Sequence, residues 1–224
     1  MKVHEDSMRG LSVGRLFGVS NAPHLRIRPV REAAFSVTYL ECRVDASGSR
    51  VVNLPKQDCF FLMLYLDDTR HCDLMPDGRE SAIMDYHKGS LCLVDLAEGA
   101  SIRLYDTLRS LAFLIPRALL AEVSEFSNAP GARNLRGCRG AYDNVMGNLG
   151  GVLLPLLQQQ HSTPSPVLGH VAVAICAHLL HRYGDTKPQN QRGPAFSAMT
   201  KNTEKDSTTF TGFSLEDWRK RWLN

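Results

Sequence analysis

Histidines and cysteines are the residues here whose spacing most directly tests for chemistry. The chain has eight of the first and six of the second. His170, His178 and His181 share one stripe of an apolar segment. Metal sites do use helical pairs of this kind. But the run is not H-E-x-x-H and no carboxylate lies between, so the three read as polar edge positions of a buried helix. His71, Cys72 and Asp73 crowd beside a Pro-Asp-Gly turn and read as solvated turn residues. No H-x-H occurs, and His71 and His87 stand sixteen residues apart, so metal-dependent oxygenase or isomerase chemistry lacks its ligands. Cys42, Cys59, Cys72, Cys92, Cys138 and Cys176 form no C-x-x-C pair and read as small buried hydrophobes. There is no G-x-S-x-G, no glycine-rich phosphate loop and no catalytic cysteine signature. The expectation is a protein that is not an enzyme and holds neither metal nor cofactor.

The remaining chemistry lies in apolar runs. In "CFFLMLYL", Phe61, Met63 and Tyr65 alternate with Phe60, Leu62 and Leu64. One set must face inward and the other an opposite wall or helices. A small-molecule pocket needs apolar walls with a few polar anchors. Tyr39, Tyr65 and Tyr105 offer hydroxyls, so Tyr39, Phe61, Met63, Tyr65 and Tyr105 are the candidate ligand-binding residues. Core packing is the competing reading of each.

Short strands must position these side chains. "AFSVTYLECRV", "RVVNLP", "CFFLMLYL", "SLCLVDL", "SIRLYD" and "LRSLAFLI" are β-rich runs joined by short turns, and "HCDLMPDGRES" carries a hairpin signal. That spacing suggests an all-β sandwich or barrel. After Pro116 the period changes. "PRALLAEVSEF" repeats apolar residues at helical spacing. "AYDNVMGNLGGVLLPLLQQQ" is a second helix, weakened by Gly147, Gly150, Gly151 and Pro155, with a kink expected near Pro155. The third helix, from Val167 to about Tyr183, is apolar on nearly every side, as in a helix buried against more than one neighbour. Residues 1–33 read as an irregular arm. The polar stretch from 185 reads as a linker and disordered tail, with one short helix from Ser214.

Composition bounds the rest. Hydrophobic residues make up 43% of the 224, charged ones 22%, and the formal charge is +3. That balance suits a soluble globular protein and is too mild to argue for nucleic-acid binding by itself. The longest apolar run, Val171 to Ala177, falls short of the roughly 18 residues a membrane span needs. The charged start "MKVHEDSMRG" is unlike a secretory signal. A cytoplasmic location is the expectation.

In order and spacing, "LPKQDCFFLMLYL", "MPDG", "KGSLCLVDL", "LIPRALLAEVSEF" and "VAVAICAHLLHRYG" resemble the N-terminal effector-binding domain of AraC-type transcription regulators. The resemblance implies an α+β fold. A cupin-like antiparallel β-barrel over 34–115 would precede a three-helix dimerisation segment over 116–184. It implies a small-molecule effector in the barrel and helices that pair subunits, with Val171, Ile175, His178 and Leu179 as candidate dimerisation residues. The pair would be a homodimer, or a mixed dimer with a full-length relative. Family members continue into two helix-turn-helix units that read DNA. After "QRGP" this sequence does not match that pattern, so no DNA-binding residue is assigned and truncation before that domain is expected. A stand-alone small-molecule-binding protein and a cupin-like enzyme are the alternatives.

Overall fold

The structure is a computed structural model that describes residues 13–44, 48–126, 134–158 and 166–185. These residues fall in one compact unit spanning 1–188. A helical turn α1 (Val13–Leu16) leads into β1 (His24–Ile27), β2 (Phe35–Cys42), β3 (Arg50–Leu54), β4 (Cys59–Tyr65) and β5 (Thr69–Asp73). Then come β6 (Met84–Tyr86), β7 (Ser90–Asp95), β8 (Ala100–Leu104) and β9 (Leu108–Pro116). Helix α2 (Arg117–Phe126), β10 (Cys138–Tyr142), α3 (Asn144–Gln158) and α4 (Pro166–Tyr183) complete the order.

Every residue of β4 is buried. A strand with apolar side chains on both faces needs a layer on each side of its sheet. The antiparallel sheet order β1-β2-β9-β4-β7-β10 places β4 well inside. Phe60, Leu62 and Leu64 join Phe113, Ile115 and Leu91 in a core shared with the helices. Phe61, Met63 and Tyr65 point the other way, toward a smaller sheet of order β3-β8-β5-β6. The period-2 alternation of one strand therefore feeds two cores. Among the described residues no strand pairing links the two sheets. The expected barrel is thus two facing antiparallel sheets, not a closed ring.

The helices cover the larger sheet. Leu119, Leu120 and Val123 of α2, Met146, Leu153 and Leu157 of α3, and Ile175, Cys176 and Leu179 of α4 are all buried in that core. Gly150 lets α3 approach closely, because a Cβ there would lie 2.3 Å from a Leu64 methyl. Arg117 fixes the start of α2. Its guanidinium meets Asp58 at 2.9 Å, pairs with Asp95 and Asn134, and lies 4.4 Å from the centre of the Phe60 ring.

Two expectations need correction. The second helix starts later than expected: Ala141 and Tyr142 belong to a strand, β10, which lies between α2 and α3 and returns to the larger sheet beside β7. Residues 1–33 are not uniformly irregular either. β1 pairs with β2, and Phe17 is fully buried between the sheets, stacked 6.3 Å from Phe61. The segment before β2 is tied down by Glu122 of α2, whose carboxylate accepts the backbone N–H groups of Arg31, Glu32 and Ala33 at 3.0–3.2 Å. The sequence reading of the tail from 186, including the helix from Ser214, lies outside the described residues.

Candidate functional site

The core between the sheets is apolar around Phe17, Phe61 and Met63 and has a polar end around Tyr65. The polar end is built by β4, β5 and β6. Tyr65 Oη and His71 Nε2 lie 2.6 Å apart. The His71 ring stacks on Tyr86 at 3.9 Å with 7° between planes, and Tyr65 and Tyr86 are 4.7 Å apart. All three rings are at most 2% exposed. Burial pushes the His71 imidazole down to about 4, with Asp73 opposing and Arg139 adding to the shift. At neutral pH the ring is therefore uncharged. Tyr65 is held well above the usual phenol range by burial and then by Cys92 and Tyr86.

Three buried polar atoms here have no hydrogen-bond partner among the described residues: Thr69 Oγ1, His71 Nδ1 and Ser110 Oγ. The sheet register places them around the rings. Thr69 stands opposite Tyr86, Ser110 opposite Tyr65, and His71 opposite the interior residue Leu104. Directly opposed residues share a face, so all three groups face the interior. An orphaned buried donor or acceptor costs about 1–3 kcal/mol, and native structures leave few of them. Thr69 and Tyr86 also line a recess of about 190 Å³ whose rim carries Asp68, Asp85 and Asp106. The polar end of the interior thus borders the surface.

One ion pair closes a side of this space. Asp73, two residues beyond His71, faces inward opposite Ile102. Nε and Nη2 of Arg139 from β10 both reach its Oδ2 at 3.0 Å. Arg139 Nη1 also donates to the carbonyls of Leu93 and Cys138. Residues from both sheets therefore enclose the imidazole with no unbalanced formal charge beside it. Among the described residues no group of three or more metal-ligating side chains is present.

The five ligand candidates read from sequence do not converge. Phe61, Met63 and Tyr65 lie together in the interior. Tyr39 belongs to the opposite, helix-facing side of the larger sheet, where its hydroxyl meets Arg109 and Glu41 at 3.2 Å. Tyr105 follows β8 and bonds Glu80 at 3.0 Å, beside Cys72 and Arg103. His71 and Cys72 correct the solvated-turn reading, because they are 0% and 1% exposed. The residues missed were Thr69, Asp73, Tyr86, Ser110 and Arg139. The available signal was alternation: Thr69, His71 and Asp73 put three polar groups on one face of a short strand.

The four dimerisation candidates also need correction. Val171, Ile175 and Leu179 are buried in their own chain against α2, α3 and the larger sheet, which removes them from a partner's reach. His178 donates through Nε2 to Asp143 Oδ2 at 2.8 Å. Asp143 also accepts from Tyr183 Oη at 2.8 Å and from the Met146 amide at 3.0 Å, capping α3. Burial raises the Asp143 carboxyl, but the bonds from His178, Met146 and Tyr183 outweigh it and hold the group below the usual range.

Among the described residues no helix is long and apolar enough to cross a membrane. No protein-family model matches the chain, and no curated protein matches it. The solved structures it resembles include an arginine-to-alanine mutant of Bacillus subtilis oxalate decarboxylase, at 14% identity and a TM-score of 0.32 over 42% of this chain and 25% of that one. A serine-to-alanine mutant of the same enzyme gives 13% and 0.27, and the enzyme at pH 4.6 gives 12% and 0.28, each over 37% of this chain and 21% of that one. The chain thus spans about a quarter or less of the length of these proteins. All three are enzymes, so the expectation that this chain is not an enzyme is withdrawn. A likeness this slight puts no activity in its place, and the two-sheet architecture rests on its own strand order.

Proposed function

We propose that the chain is a small-molecule-sensing module of the AraC type, with its effector held at the polar end of the space between the sheets. The observation that carries this reading is the set of three buried, unpartnered polar atoms around the Tyr65–His71–Tyr86 rings. Apolar walls with a few convergent hydrogen-bonding groups are what a small-molecule site requires. Pairing with a second copy, or with a full-length relative, would use the outward faces of α3 and α4. Val145, Val152 and Val167 stay 43–49% exposed there.

The test is a thermal-shift screen of small polar and aromatic compounds. A compound that binds only the folded state raises the melting temperature, and the rise grows with the logarithm of its free concentration above Kd. Thr69→Val and Ser110→Ala should abolish the shift given by an interior ligand while the variants remain folded. A compound that stabilises both variants as well as the parent protein binds elsewhere and would remove the support for this site. Sedimentation of Val152→Glu and Val167→Glu tests the pairing: the reading expects a parent dimer and a monomeric variant.

A further inference from the structure

We propose that strand β10 is a two-sided strut that couples the interior site to the last turn of α4. The pieces lie within ten residues of sequence. The register of β10 on β7 slips between Cys138 and Ala141, and Gly140 takes a φ of +67°. Such a bulge re-aims one side chain. Cys138 and Ala141 keep to the helix side, and Arg139 swings to the interior, where it grips Asp73 of the smaller sheet.

Both flanks of the same strand hold α4. Before it, the Arg136 amide donates to Tyr183 O at 2.7 Å, Leu135 bridges Gly184, and the Asp185 amide donates to Asn134 O at 2.9 Å. After it, Asp143 receives His178 and Tyr183 at 2.8 Å. In this proposal the bulge can relax into the regular ladder, a one-residue slip that reverses which face each side chain takes. Arg139 on Asp73 favours the bulged form. A ligand that engages either member of that pair releases the hold. β10 then shifts, and Asp143 can no longer keep all its bonds to α4. By linkage, loosening α4 strengthens ligand binding at the interior site by the same factor. The trigger rests on the proposed effector site; the mechanical connection does not.

Amide hydrogen exchange tests this without a ligand. The parent protein is compared with Asp73→Asn, Asp143→Asn and, as a control on the outer face of the smaller sheet, Glu80→Gln. Asp73 touches none of the amides of Arg136, Gly184 and Asp185. Coupling nevertheless expects Asp73→Asn to speed their exchange about tenfold or more, as Asp143→Asn does, with the β4 amides unchanged. Exchange at those three amides no faster than in Glu80→Gln overturns the proposal. If Asp73→Asn loses protection in β4, Arg139→Gln replaces it under the same criterion. Failure here leaves the interior site standing, and failure to find any effector leaves the strut standing.

Discussion

At the scale of single residues, the cluster around His71 makes opposite predictions for function and stability. Thr69→Val and Ser110→Ala remove hydroxyls that have no partner among the described residues. Each change should raise the stability of the ligand-free protein by about 1 kcal/mol, read from denaturant midpoints, because an orphaned polar group is lost and the shape is nearly kept. A loss of stability would mean that the hydroxyl was already satisfied. His71 gives a pH signature. Its folded value of about 4 lies below the ordinary imidazole value of 6.5. Below 6.5 the unfolded chain therefore binds the extra proton, and stability falls as pH drops from about 6.5 toward 4. His71→Phe should flatten that limb of the stability profile. The carboxyl of Asp143 is depressed, so its contribution is present above the ordinary aspartate value and is lost only at more acidic pH. The two groups are thus separable by titration. A parent profile that is level from 6.5 to 4 would contradict the neutral, buried imidazole.

At the scale of elements, α3 carries a paired test. Gly150→Val drives a branched side chain toward Leu64 and Leu111 and should cost about 1–3 kcal/mol. Gly151 is exposed on the same helix with nothing within 4 Å of an added Cβ, so Gly151→Ala should stabilise by up to about 1 kcal/mol. Equal effects at the two positions, measured by thermal or urea unfolding, would mean that the helix does not sit on the sheet as described. Most elements were legible because their periods are strong. Cys59–Tyr65 and Leu108–Pro116 are nearly unbroken apolar runs, and α4 is apolar with a glycine stop. β10 was not legible. "CRGAY" holds an arginine and a glycine in five residues, and its strand state comes from pairing with β7. The site was half legible. Alternation found Phe61, Met63 and Tyr65 but could not assign Tyr39 to a face, because only pairing with β9 fixes that. Asp73 and Arg139 meet from 66 residues apart, a contact with no local trace. His71 was misjudged because a polar residue near a turn is usually wet, and here a tyrosine hydroxyl and a stacked ring enclose it.

At the scale of the whole molecule, β4 contributes to both cores, so neither core can melt alone without exposing a face of the same strand. One cooperative transition is expected for the compact unit. Leu62→Ala on the helix side should cost about 2–5 kcal/mol and Phe61→Ala on the interior side about 3–5 kcal/mol. Both should shift one transition seen alike by far-UV and near-UV circular dichroism. Two separated transitions would show that the helical layer and the sandwich are independent.

The strand order also sets a timetable for the ribosome. β4 lies between β9 and β7, both of which come later in the chain. Its seven-residue apolar stretch therefore emerges with neither neighbour made. Synthesis must proceed from Tyr65 to Pro116 before the last of β9 exists. At roughly 5–20 residues per second that interval is several seconds. Until β7 is complete at Asp95 this segment has neither native neighbour, and until Pro116 it has only one. Holding chaperones, or a slow codon run placed after rather than before Pro116, would bear directly on how much of this protein reaches its folded state.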